Sequence, residues 1–151
     1  MTERLLQYIW QFQLYNKSAL TTFEGEGLQI IHPGTYNTNQ GPDFIDAKIK
    51  IENTLWAGSI ELHINSSGWA AHKHSDDKNY NNVILHVVWQ HDVAVQLSFP
   101  TLVLQDKVSK LLLTKYDALM HAASFIPCEK MIHQVPELTW ASWKERLLVE
   151  R

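Results

Sequence analysis

The chain has 151 residues, 45% of them hydrophobic and 19% charged, which excludes a disordered tail and predicts one globular core. Its 13 basic and 16 acidic residues give a net charge of −3 with no run of either sign. This charge balance excludes a protein whose whole surface binds nucleic acid electrostatically. Binding in a local positively charged groove is still an alternative.

The only cysteine, Cys128, excludes an internal disulfide and favours a reducing compartment. The first residues contain an acid at position 3, which is unlike a signal peptide. No apolar run approaches the ~20 residues that a membrane-spanning helix needs. We therefore expect a cytoplasmic protein that does not enter a membrane.

The first half of the chain predicts a helix, a strand and a hairpin. Residues 3–15 carry apolar side chains at the spacing of one helix face, and Thr2 is a candidate N-cap. A short strand ends at Pro33-Gly34 and is followed by a polar loop. Residues 44–51 and 55–64 then predict two strands of a hairpin around the sequence ENT.

The second half predicts a helix, two strands and a final helix. Two serines open the polar segment 66–82, which we expect to begin with a helix. Residues 83–89 are apolar at six of seven positions, which is typical of a strand covered on both faces, and 94–99 predict a further strand. The tail predicts an amphipathic helix. Together the elements indicate an α/β fold with a mixed central sheet flanked by helices.

The final helix has no Gly, Asn or Pro to end it. We expect residues 1–136 to form a single domain and 137–151 to begin a further region of a longer chain. The apolar side chains Trp140, Trp143 and Leu147 would then contact that region or another protein.

The predicted hairpin gathers polar side chains on one face. Glu61 and His63 alternate to the same face of the second strand, and Asp43 begins the first. A three-residue loop would place Asp43 opposite His63, whereas a two-residue loop at 53–54 would place Glu61 opposite Asp46. Two carboxylates ~4 Å apart repel by roughly 4 kcal/mol at a protein surface. A divalent cation or a shared proton would offset this repulsion.

Pro42-Asp43, followed eighteen residues later by Glu61-Leu62-His63, resembles the motif of the PD-(D/E)XK nuclease superfamily. The resemblance implies a restriction-endonuclease-like core of helix, strand, hairpin, helix and two strands. It also implies that Asp43 and Glu61 bind Mg²⁺ or Mn²⁺ for the hydrolysis of phosphodiesters in nucleic acid. His63 stands where the family usually has Lys; with an unperturbed pKa of about 6.5, it is a candidate base or metal ligand.

Residues 39–89 resemble more specifically a family of uncharacterised bacterial proteins, a domain of unknown function whose members are longer than this chain. This resemblance implies no activity.

The sequence HKHSDD, residues 72–77, resembles the H-x-H-x-D zinc motif of metallo-β-lactamase-like hydrolases, although Asp77 replaces the final His. On a helix, His72 and Asp76 would lie on one side while His74 pointed elsewhere. His72, His74 and Asp76 are therefore candidates for supporting contacts to the hairpin site or for contacts to substrate.

Each polar residue also has a structural interpretation. Asp43 would simply begin a strand after a turn, Glu61 and His63 would form a surface pair, and His86 would be a core histidine satisfied by one hydrogen bond. The competing function is then a non-catalytic protein-interaction module on a nuclease-like scaffold.

Overall fold

The computed structural model describes residues 1–122, 126 and 129–150, so Cys128 lies outside the described residues. The chain divides into two compact units, Met1–Ser109 and Lys110–Arg151. The predicted domain boundary after residue 136 stays a prediction.

The first unit is built on a mixed six-stranded sheet, as the sequence predicts at this level. Its strands are β1 (Leu28–His32), β2 (Thr35–Tyr36), β3 (Phe44–Ile51), β4 (Thr54–Asn65), β5 (Val83–Gln90) and β6 (Thr101–Val103). The order across the sheet is β1-β3-β4-β5-β6, and β2 also pairs with β3. The pairs β1–β3, β2–β3 and β3–β4 are antiparallel, whereas β4–β5 and β5–β6 are parallel.

The first helix, α1 (Glu3–Gln11), packs on β4 and buries its apolar face. Thr2 caps it as predicted, since its hydroxyl accepts a hydrogen bond from the backbone N–H of Leu5 at 3.3 Å. The helix ends earlier than residue 15 because the backbone turns at Gln13, whose φ is +51°.

The hairpin of β3 and β4 has neither of the two predicted registers. Its turn is Glu52-Asn53, and Ile51 pairs with Thr54. The register then changes between residues 44 and 47, where Asp46 has a φ of +58°. This β-bulge brings Phe44 opposite Ile60, so the residue before Phe44 lies beside Glu61.

Strand β5 is covered on both faces, as its apolar sequence predicts, with residues 83–88 all buried. Residues 94–99 do not form the predicted strand. The edge of β5 is instead occupied by β6, where Val87 pairs with Leu102.

Segment 66–82 contains only a four-residue helix, α2 (Gly68–Ala71), followed by the 3-10 turns His74–Asp76 and Lys78–Tyr80. The helix stops because Lys73 adopts the left-handed conformation with φ +58°. Lys73 thus separates His72, at the end of α2, from His74 in the following 3-10 turn.

The second unit contains α3 (Lys110–Met120), the 3-10 turn Glu129–Gln134 and α4 (Glu137–Val149). Helix α4 confirms that the tail is helical. None of its residues is buried, and Leu138 is 82% exposed. None of the helices in the described residues is long and apolar enough to cross a membrane.

Candidate functional site

An acidic pair forms where β3 begins. The backbone N–H of Asp43 donates to Glu61 Oε2 at 3.0 Å, and Asp43 Oδ2 accepts the backbone N–H of Leu62 at 3.0 Å. Asp43 Oδ1 accepts the side-chain amide of Gln7 on α1 at 2.7 Å. Both carboxylate oxygens of Asp43 therefore accept hydrogen bonds from the protein. Glu61 uses only Oε2 in this pair, and its Oε1 points away from Asp43.

The free oxygen of Glu61 faces two histidines. Glu61 Oε1 lies 3.3 Å from His74 Nε2 and 3.7 Å from His63 Nε2. Glu61 and His63 are only 6% and 1% exposed. The interpretation of Glu61 and His63 as a surface pair is therefore wrong.

The histidines of segment 66–82 converge on His63. His72 Nδ1 lies 3.1 Å from His63 Nε2, and His74 Nε2 lies 3.3 Å from the same atom. The prediction that His74 would point away is wrong because α2 ends before it and the turn at Lys73 directs both histidines towards β4. His72 is exposed and His74 is buried, so the group reaches the protein surface on the His72 side.

His86, on the neighbouring strand β5, contacts the other ring nitrogen of His63. Its Nε2 lies 2.8 Å from His63 Nδ1, as expected for a core histidine with one partner. Its Nδ1 is buried without a partner among the described residues. Trp69 packs edge-on against both His86 and His74, and Tyr80 stacks on His74 at a ring distance of 3.8 Å.

Burial sets the protonation of these groups. Burial raises the pKa of Asp43 to about 6, and burial with the nearby Asp43 charge raises the pKa of Glu61 to about 8. Burial and the neighbouring imidazoles lower the pKa of His63 to about 3 and that of His86 to about 4. Burial also lowers the pKa of His74. His63, His74 and His86 are therefore uncharged at neutral pH, and each has one ring nitrogen with a lone pair.

The donors that converge are suited to a metal ion. One nitrogen from each of His63, His72 and His74 lies within 4.8 Å of the others. Imidazole nitrogen is a preferred ligand of divalent transition metals. The acidic pair contributes an additional oxygen at the edge of this group.

The start of segment 66–82 is anchored by Asp92. Asp92 Oδ1 accepts hydrogen bonds from the Ser66 hydroxyl at 2.9 Å and the Ser67 backbone at 3.0 Å. Its Oδ2 accepts the Ser67 hydroxyl at 2.7 Å. Ser67 therefore bonds to a distant loop and does not cap α2.

The sequence predicts that Asp43, Glu61 and His63 lie close together. In the structure Asp43 bonds to Glu61, and the other carboxylate oxygen of Glu61 lies 3.7 Å from His63. Sequence analysis gave His72 and His74 only supporting roles, and both contact His63 directly. Asp76 is exposed and takes no part in the hydrogen bonds and ion pairs of this group in the described residues. The contributions of Gln7 and Asp92 were not predicted, because each bonds across more than 20 positions of the chain.

Comparison with known proteins gives a family without an assigned activity. No curated protein and no solved structure matches the chain. A family model described as "Protein of unknown function (DUF2851)" matches residues 3–151. This match covers nearly the whole sequence, and the chain belongs to that family.

Proposed function

We propose that this chain is a metal-dependent phosphodiester hydrolase of the bacterial cytoplasm, built on a restriction-endonuclease-like core. The observation that carries the proposal is the buried Glu61 carboxylate, held on one side by Asp43 and directed on the other side at His63 and His74. A buried acid beside neutral imidazoles is a typical arrangement for metal-assisted hydrolysis.

The geometry changes the roles that the nuclease motif implies. Asp43 has both oxygens in hydrogen bonds, so in this proposal it positions Glu61 and leaves metal binding to the histidines. The neutral nitrogen of His63 is a metal ligand in this proposal. Glu61 Oε1 is the group left free to receive a proton.

A divalent ion at this site would lower the pKa of a water molecule and polarise the phosphoryl oxygen. A bound cation would lower the pKa of Glu61 from its value of about 8 in the metal-free chain, and the ionised carboxylate would then take the proton from the attacking water. His72 lies on the exposed side, where a phosphate group of the substrate would approach. The cofactor proposed from the nuclease motif is Mg²⁺ or Mn²⁺, and the imidazoles shift the preference between these two towards Mn²⁺.

Nucleic acid is the proposed substrate, because the motif and the element order resemble those of nucleases. The net charge of −3 predicts that binding depends on a local groove and not on the whole surface. The chain should therefore be assayed both on single- and double-stranded nucleic acid and on a small diester that needs no groove.

The test is hydrolysis of bis-(p-nitrophenyl) phosphate by metal-free protein supplied in turn with Mg²⁺, Mn²⁺ and Zn²⁺. We expect activity with at least one ion and a loss of about 10²–10⁴-fold in Glu61→Gln, which removes the proposed base. Glu26→Gln is the matched control, since Glu26 is an exposed acid. Absence of hydrolysis with every ion, on the diester and on nucleic acid, would contradict the proposal.

A second candidate is a non-catalytic interaction module. Helix α4 favours it because no residue of α4 is buried and Trp143 is 55% exposed. In this proposal Trp140, Trp143 and Leu147 contact a partner protein or a further region of a longer chain. A photo-crosslinking side chain at position 143 should then capture that partner, and the same side chain at Glu24 should not.

A further inference from the structure

We infer that His63, His72 and His74 bind one divalent ion of the zinc class, and that this ion fastens residues 68–80 to the sheet. The inference rests on the proposed function in that it concerns the same site, where His63 is a ligand, but such an ion would bind and stabilise this segment whether or not the site hydrolyses phosphodiesters.

The first argument is the crowding around one atom, His63 Nε2. It has His72 Nδ1 at 3.1 Å, His74 Nε2 at 3.3 Å and Glu61 Oε1 at 3.7 Å. A neutral imidazole nitrogen either donates one hydrogen or accepts one. His63 Nε2 can therefore form one hydrogen bond, which leaves its other close neighbours unexplained, whereas one cation between them would interact with all of them.

The second argument is the distances themselves. Zinc binds histidine nitrogen at about 2.0–2.1 Å with tetrahedral geometry, which places neighbouring ligand atoms about 3.3 Å apart. The separations of His72 Nδ1 and His74 Nε2 from His63 Nε2, 3.1 and 3.3 Å, match this edge length. Glu61 Oε1, at 3.3 Å from His74 Nε2, lies on the remaining side of the same position.

The donor types select the ion. Three imidazoles suit Zn²⁺, Co²⁺ or Ni²⁺, whereas Mg²⁺ takes oxygen ligands in octahedral geometry. Only one free carboxylate oxygen, from Glu61, is directed at this position by the acidic pair. The site should therefore prefer Zn²⁺ to Mg²⁺.

The surroundings orient the ligands. Binding a cation at Nε2 of His63 requires its proton on Nδ1, and that proton has an acceptor in His86 Nε2 at 2.8 Å. Tyr80 stacks on the His74 ring and holds its orientation. These contacts present the nitrogens towards one point.

The ion would connect parts of the fold that otherwise share few apolar contacts. His63 lies on β4, whereas His72 and His74 lie in a segment where Trp69 is the only buried hydrophobic residue between positions 67 and 82. A short helix and two 3-10 turns contribute little stability by themselves. Metal binding should therefore be coupled to the folding of this segment.

The experiment is calorimetric titration of Zn²⁺ and Mg²⁺ into the metal-free chain, with hydrogen exchange measured before and after Zn²⁺. We expect one Zn²⁺ per chain, weaker binding of Mg²⁺, and slower exchange in residues 68–80 than without metal, while β1 is unchanged. In His72→Ala and in His74→Ala, Zn²⁺ affinity should fall by more than the 10–100-fold typical of losing an outer hydrogen-bond partner.

Controls separate this inference from the proposed function. His133→Ala, which removes an exposed histidine of the second unit, should bind Zn²⁺ like the unaltered chain. Glu61→Gln keeps the three imidazole ligands and should still bind one Zn²⁺, with lower affinity because a nearby negative charge is lost, whereas it should lose hydrolysis. His72 is exposed, so its replacement should leave the fold intact, which circular dichroism checks.

Two results would overturn the inference: Zn²⁺ affinity unchanged in a His72→Ala, His74→Ala double variant, or Mg²⁺ bound more tightly than Zn²⁺. Zinc bound as described but without hydrolysis would refute the proposed function alone.

Discussion

Asp43 and Glu61 hold each other through the backbone: Glu61 Oε2 accepts the N–H of Asp43, and Asp43 Oδ2 accepts the N–H of Leu62, both at 3.0 Å. This reciprocal arrangement exists because the bulge at Asp46 shifts β3 by one residue against β4. Asp43 therefore fixes the orientation of Glu61, and its replacement should affect Glu61 first.

We expect Asp43→Asn to lower the free energy of unfolding by roughly 1–3 kcal/mol, since Gln7 and Leu62 donate to different oxygens of Asp43 and the NH₂ that replaces one oxygen would face a donor. Chemical denaturation measures this change. Asp106→Asn, at an exposed position, should stay close to the unaltered chain. Equal stability of the two variants would show that the hydrogen bonds of Asp43 are unimportant.

The acidic pair predicts a pH dependence for the metal-free chain. The pKa of Glu61 is raised from 4.5 to about 8 in the folded state, chiefly by burial. Between these values the unfolded chain loses the proton first, so the Glu61 contribution to stability falls as pH rises. Glu61→Gln carries no such proton and should gain stability relative to the unaltered chain from pH 4.5 to 8.

Thermal denaturation of metal-free protein across this range tests the prediction, with Glu26→Gln as the exposed control. A difference between Glu61→Gln and the unaltered chain that stays constant with pH would contradict it. The folded protein would then not raise the pKa of Glu61.

Asp92→Ala should weaken zinc binding by about tenfold, because Asp92 anchors Ser66 and Ser67 at the start of the segment that carries His72 and His74. Calorimetry of the variant checks this. Asp76→Ala, which alters an exposed acid of the same segment, should have normal affinity. If both variants bind equally, the anchor does not set the position of the histidines.

Gly68→Ala should disturb the same site by crowding. A Cβ at position 68 would lie 2.7 Å from His63 Cδ2 and 3.0 Å from His63 Cβ, so the ring must shift. We expect a loss of roughly 1–3 kcal/mol in stability together with weaker metal binding. Ala71→Ser, an exposed change in the same helix, is the control for both measurements.

The sequence predicts those secondary-structure elements that depend on interactions between residues close together in the chain. The Thr2 cap, the hairpin strands and the buried strand β5 follow from capping chemistry and from apolar periodicity. These determinants lie within a few residues of each other, and sequence reasoning can read them directly.

The register and the full histidine group could not be predicted in this way. Both depend on non-glycine residues in the left-handed conformation, Asp46 at the bulge and Lys73 between the two histidines. Tertiary packing imposes such a backbone conformation. The residues around Asp46 and around Lys73 contain no local signal that predicts it. The sequence does contain one signal for the histidine group: the H-x-H spacing of His72 and His74 follows soon after Glu61-Leu62-His63. The two patterns resemble two different families, so the sequence alone does not predict that they form one site.

The bond between Gln7 and Asp43 also affects how the protein should be engineered. Because the amide of Gln7 is a partner of Asp43 Oδ1, trimming the chain at its beginning would remove a donor from the acidic pair. A shortened protein that lacked activity would then be misread as proof that the chemistry belongs to the first helix. Affinity tags and fusion partners are therefore better kept away from α1.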